Sequence, residues 1–305
     1  MNIQSTSHEA KMSLAADSNP QSIGLALEVI GREGSISLIR GSEVVQCCRL
    51  SADGRAASTL IPAINQLLGR SESGESNVGS NSVGPDSESS NLATSNSVRP
   101  DFLAVAIGPG SFTGLRIAVA AAKTLAYAWR IPVVTVDSLS AVARSLEGSP
   151  VSETPDACHQ RRILVGLTAY RGQVYRGRFE AGLDPDIDLI SAEQWQSELA
   201  AIAQENSSAN ADSVGQDSVP PAAIGSESGS STRNQAWTCT GDRLAFERSG
   251  IPLDQIAWME ETEPRALGVG ILAIEKFQKG QVTDPVDVVP DYFRPSAAEE
   301  KQPAP

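Results

Sequence analysis

Histidine is nearly absent from this 305-residue chain. The two present, His8 and His159, lie in separate polar stretches, so no His-x-x-x-His or H-E-x-x-H pair can be written and a histidine-bound catalytic metal is excluded. Cysteine is also scarce. Cys47, Cys48, Cys158 and Cys239 form no C-x-x-C pair, and the adjacent two would point to opposite faces of a strand, which reads as reduced, buried thiols. No run of about 18 apolar residues occurs, and residues 1–22 are polar and Ser-rich without the apolar centre of a signal peptide, so a cytoplasmic protein with no membrane contact is expected. Basic charge is in deficit. With 24 Lys and Arg against 37 Asp and Glu, the net charge is −13, which repels a phosphate backbone and argues against autonomous RNA binding.

Aromatic residues make up 5% of the chain, and two stretches, 71–98 and 204–235, have none. Both are rich in Ser, Asn, Gly and acids, and neither can bury enough apolar surface to offset its ordering entropy, so both read as solvated inserts. What remains has 40% apolar content overall and a repeating order of elements. Strands are expected at 23–29, 35–40 and 43–50, a helix at 58–68, a buried strand at 102–107, a helix at 115–129 and a strand at 131–136. The second half follows the same plan, with strands at 163–168 and 173–179, a helix at 192–203, a strand at 236–240 and a short helix from Asp242. The expected fold is α/β, with two ribonuclease-H-like lobes of mixed sheet flanked by helices. These lobes span 23–147 and 148–295, between a polar leader (1–22) and a tail (296–305).

The most informative stretch is Gly108-Pro109-Gly110-Ser111-Phe112-Thr113-Gly114-Leu115-Arg116, between a buried strand and a helix. Glycines permit a sharp turn, and helix N-terminal amides can hold an anion. The spacing is neither G-x-x-x-x-G-K-[ST] nor G-x-G-x-x-G, so a tight structural turn stands beside a phosphate cradle. The helix that follows is apolar nearly all round. It is either enclosed by its own fold or pairs with the 58–68 helix to present a partner interface. The candidate interface residues are Leu60, Ile61, Ile64, Leu67, Leu115, Ala118, Val119, Ala122, Leu125, Ala126 and Trp129.

The block DFLAVAIGPGSFTGLRIAVAAAKTLAYAWRIPVVTVDSLSAVA, residues 101–143, resembles the signature of the TsaB family, the non-catalytic paralogue of TsaD. The resemblance extends to Gln173-Val174-Tyr175, Gly241-Asp242, the 264–280 helix and Pro290-Asp291-Tyr292-Phe293-Arg294. It implies an actin/hexokinase-type ATPase fold and a helical interface with a TsaD-like transferase. It also implies a role in threonylcarbamoylation of the adenosine beside the tRNA anticodon. A TsaE-like ATPase would join the complex, tRNA would be met only through it, and ATP or ADP and metal would sit on the partner subunits rather than on this chain. A homodimer through the same helices is a further expectation.

Three departures from the family bear on catalysis. Glu28-Val29-Ile30 stands where relatives carry Asp-Thr-Ser, Ala56-Ala57-Ser58 where they carry His-Ser-Glu, and Thr168-Ala169-Tyr170 where they carry Asp-Ala-Arg. A metal-nucleotide site on such hairpins needs carboxylates, and Glu28 is the one available. His159 with Ser111 or a cysteine makes no credible nucleophile and base. A non-catalytic subunit is therefore expected, and the alternative is an independent ATP-dependent phosphotransferase or hydrolase of the same fold.

Overall fold

A computed structural model describes residues 21–31, 33–41, 43–50, 56–70, 97–147, 162–214 and 236–293. The first sheet contains β1 (Ile23–Glu28), β2 (Ser35–Arg40), β3 (Glu43–Arg49), β4 (Phe102–Gly108) and β5 (Val133–Asp137), in the order β3-β2-β1-β4-β5. β1 to β3 form an antiparallel meander, and β4 and β5 join in parallel. The central strands are apolar in both registers because both faces are covered. Leu25, Leu27, Leu103, Val105 and Val133 face α1 (Ala56–Leu67) and α2 (Phe112–Trp129), whereas Ala26, Phe102, Ala104, Val134 and Val136 face α6 (Arg265–Gln278).

The second sheet repeats the plan with β6 (Arg162–Thr168), β7 (Val174–Phe179), β8 (Asp186–Ile190) and β9 (Trp237–Gly241), in the order β8-β7-β6-β9. A fifth strand is replaced by a single parallel bridge from Cys239 to Trp258. One face packs on α4 (Ala192–Val214) and α5 (Arg243–Glu247), burying Trp195, Leu199, Ile202, Trp237 and Phe246. The other face packs on α3 (Ser138–Glu147) through Leu139, Val142, Ala143 and Leu146.

Helix α3 follows the first sheet in sequence yet covers the second, while α6 follows the second and covers the first. The pair crosses where Gly268 meets Ala141, so closely that a Cβ on Gly268 would overlap the Ala141 carbonyl. Packing therefore crosses the expected boundary at 147/148.

Expected strands are observed within a few residues. α3 and β8 were not expected, although Leu139, Val142, Ala143 and Leu146 are spaced as a helix requires and Asp186–Ile190 alternates. The expected insert at 204–235 needs correction, because α4 continues to Val214. The Asn206 carboxamide donates to the Trp237 carbonyl (3.0 Å) and accepts from its N–H (2.7 Å), pairing the edge of β9 as a strand would. Likewise Val98, assigned to the first insert, donates to the Leu68 carbonyl (3.0 Å) and packs on the core. Residues 71–96 and 215–235 of the inserts, residues 1–20 of the leader, the tail, and His8, Cys158 and His159 lie outside the described residues.

Candidate functional site

The glycine loop is a structural turn. Its Gly108–Pro109 peptide is cis, and Gly108 and Gly110 have positive φ. A side chain on Gly110 would strike Ile30, and one on Gly114 would strike the Val29 carbonyl, so the loop lies directly on the chain leaving β1. Ser111 caps α2 by accepting the Gly114 N–H at 3.3 Å. The Asp291 N–H reaches the Ile107 carbonyl at 2.8 Å, which brings the C-terminal segment over the same loop. The three glycines thus serve close approach of the loop to neighbouring backbone and side chains, while Ser111, Phe112 and Thr113 at the start of α2 are exposed.

Residues 281–293 form a strap. Thr283 exchanges two backbone bonds with Val133 on the β5 edge (3.1 and 2.7 Å). The Lys123 ammonium donates to the Val286 and Val288 carbonyls at 2.7 and 3.1 Å. Arg116 lies 3.8 Å over the Phe112 ring and donates to the Tyr292 hydroxyl at 3.2 Å. Phe293 then meets Tyr175 on β7 edge-on at 6.1 Å, so the strap spans both sheets.

The candidate interface residues divide by burial. Leu60, Ile64, Leu67, Leu115, Ala118, Val119, Ala122 and Ala126 are buried under α1 and α2, against the first sheet or the loop at its end. The candidates Ala118, Ala122 and Ala126 therefore face inward, where their small side chains let α2 lie close to the sheet it covers. Ile61 is exposed, and Leu125 and Trp129 are half-buried. The outward face of α2 instead presents Thr113, Arg116, Ala120, Thr124, Tyr127 and Ala128, beside Ile61, Pro62 and Gln66 of α1. α1 has no charged residue, and the two on α2, Arg116 and Lys123, are both engaged by the strap. The result is an exposed two-helix face almost without free charge on a strongly acidic chain.

Between the two hairpins the chemistry is different. Glu28 is 2% exposed, and its Oε1 accepts the Ile30 and Gly31 amides at 2.9 and 3.1 Å. Burial pushes its carboxyl above the ordinary glutamate range, with the Arg265 guanidinium opposing. Arg265 donates to Glu261 Oε1 and Oε2 (both 2.7 Å) and to Asp242 Oδ1 (2.8 Å). Asp242 Oδ2 accepts the Thr168 N–H and hydroxyl at 2.8 and 2.6 Å. Burial raises the Asp242 carboxyl, but Arg265 and the Thr168 bonds outweigh it and hold it below the ordinary aspartate range. These residues do not fit a metal-nucleotide pair: the hairpin amides that would meet phosphate are satisfied by Glu28, and the carboxylates face a guanidinium. Among the described residues no group of three or more His, Cys, Asp or Glu is arranged to hold a metal. Burial pushes the Cys47 and Cys239 thiols up to about 12, so neither is an activated nucleophile.

Arg265 and the strap were not anticipated as site features. A signal existed for the first, since a cation in the first turn of a helix opposes the macrodipole and implies acidic partners.

Residues 92–211 match the TsaD family, described as tRNA N6-adenosine threonylcarbamoyltransferase. An 83-residue stretch is 40% identical to the tRNA threonylcarbamoyladenosine biosynthesis protein TsaB of Bacillus subtilis (strain 168), covering 26% of this chain and 30% of that protein. A 79-residue stretch is 32% identical to the protein of the same name from Buchnera aphidicola subsp. Schizaphis graminum (strain Sg), covering 26% and 34%. The match therefore spans about a third of the length of these curated relatives. Among solved structures, an uncharacterized protein with similarity to peptidase YEAZ from Pseudomonas aeruginosa superimposes with a TM-score of 0.57 at 20% identity, over 90% of this chain and 100% of that one. YeaZ from the same organism gives 0.55 at 20% identity, over 89% and 99%. No described helix is long and apolar enough to cross a membrane. Sequence similarity to TsaB and TsaD is thus confined to part of the chain, and the likeness to the two Pseudomonas aeruginosa structures, at 20% identity, shows a shared α/β fold.

Proposed function

We propose that the chain is a non-catalytic, cytoplasmic scaffold subunit of a bacterial tRNA threonylcarbamoyladenosine modification complex, and that it binds and supports a TsaD-like transferase through α1 and α2. In this reading its two units, 23–147 and 148–295, are lobes of the actin/hexokinase-type fold. ATP or ADP and metal sit on partner subunits, a TsaE-like ATPase joins the complex, and tRNA is met only through the assembly. The observation that carries the reading is the charge-poor outward face of α1 and α2, of which α2 lies within residues 92–211, the stretch that matches TsaD. Exposed apolar and small residues without charge are what a desolvated interface centre requires.

The test is co-purification with a TsaD-like subunit, followed by a modification assay on unmodified tRNA. Ala120→Glu and Ala128→Glu lie on the exposed face and should fold normally but bind at least about thirtyfold more weakly, equivalent to about 2 kcal/mol. Normal affinity in both variants would place the partner elsewhere. A second copy of the chain on the same face would appear as a concentration-dependent dimer that the same substitutions dissolve.

A further inference from the structure

The geometry points to Arg265 as an internal clasp: its guanidinium occupies the interval between the two hairpins and ties the first sheet to the end of the second. The backbone around it is anchored to the first sheet. Ala266 N–H donates to Ser35 Oγ (3.0 Å), Ser37 Oγ donates to the Ala266 carbonyl (2.7 Å), and Arg49 donates to the Thr262 carbonyl (2.7 Å). From that anchor the side chain reaches Asp242, which follows β9 and is locked to Thr168 at the end of β6. The guanidinium also lies against the first hairpin, close enough that a Cβ on Gly31 would stand 3.2 Å from Nη1.

Helix stability does not explain this arginine, because a cation in the first turn of a helix is disfavoured by the macrodipole. The partners do. Arg265 is 15% exposed at its side chain and faces Glu28, Glu261 and Asp242, while Glu28 satisfies the Ile30 and Gly31 amides. A ligand bridging the hairpins would have to displace a guanidinium that is already forked between two carboxylates. The chain thus carries its own occupant for the interval, and at that point the two sheets are bridged by a side chain. This inference is independent of the partner reading.

The test is amide hydrogen exchange across the clasp in the full-length protein. In Asp242→Asn the single remaining acceptor cannot serve both Arg265 and Thr168, so the substitution loosens the second-sheet end. The expected result is about tenfold faster exchange at Ile30, Gly31 and Ala266, on the opposite sheet, with core amides of β4 unchanged. In an Arg265→Met background, Asp242→Asn should still accelerate Thr168 but add nothing at Ile30 and Gly31. If Arg265→Met fails to fold, Arg265→Lys, which keeps the charge and loses the fork, takes its place in the cycle. Exchange at Ile30 and Gly31 that is unchanged by Asp242→Asn, or accelerated by it equally with and without Arg265, overturns the clasp.

Discussion

Glu28 illustrates how one buried carboxylate can serve the backbone rather than a ligand. Glu28→Ala strands the Ile30 and Gly31 amides and should cost about 1–3 kcal/mol, whereas Glu28→Gln keeps an acceptor oxygen and should cost less, as measured by chemical denaturation. The pH dependence separates Glu28 from Asp242. Because the Glu28 carboxyl is raised in the fold, the folded chain holds that proton more tightly than the unfolded chain, and stability falls as pH rises from the ordinary glutamate range through the raised value. Because the Asp242 carboxyl is lowered, its contribution is fully present above the unfolded value and is lost as pH falls through the folded one. A denaturation series across the acidic range should therefore lose the first slope in Glu28→Gln and the second in Asp242→Asn. An unchanged series in both would refute these environments. Glu28 was visible in the sequence as a lone hairpin carboxylate, but the position of its partner, some 237 residues downstream by number, was not.

Among the elements, α2 shows why an alanine-rich helix is ambiguous from sequence. Alanine at 118, 122 and 126 serves close approach to the sheet, and alanine at 120 and 128 serves an open face, yet the residue type is the same. Ala122→Glu should unfold the protein, since it buries an unpaired charge, while Ala128→Glu should leave thermal stability within about 0.5 kcal/mol. Thermal melts of both variants check this contrast. α4 makes the complementary point. Its C-terminal half, 204–214, is polar and Ser-rich, but Asn206 and Glu205 bond to Trp237 from it. Deleting 204–235 should lower stability by about 2–4 kcal/mol through loss of the Asn206 pair and the adjoining Glu205 bond, whereas deleting 215–235 spares both. Equal stability of the two deletions would show that the β9 edge needs no partner.

At the scale of the molecule, two crossed helices, a strap and a buried guanidinium join the sheets. The isolated protein is expected neither to hydrolyse ATP nor to transfer a threonylcarbamoyl group to tRNA, because its hairpin amides and carboxylates are committed to one another. Robust turnover by the purified chain, abolished by a substitution at Glu28, would overturn this. Truncation after Gly280 removes the bonds to Val133, Lys123, Ile107 and Arg116, and should both destabilise the fold and expose the flank of α2. Calorimetry together with dye binding to exposed apolar surface checks both outcomes.

By itself the sequence determined the fold class, most strand and helix positions, the scarcity of metal and nucleophile chemistry, and the family resemblance. Each of these is written in local periodicity, in residue types that are present or missing, or in one contiguous block. Only the tertiary structure decided which face of α2 is open, that α3 and α6 exchange sheets, and that Arg265 meets Asp242 and the first hairpin. Those facts depend on which distant segments share a surface. Alanine stands on both faces of α2, inward at 118, 122 and 126 and outward at 120 and 128, so residue type alone cannot orient it. A charge pattern along the chain likewise cannot reveal that an arginine at one helix terminus fills the gap between two hairpins.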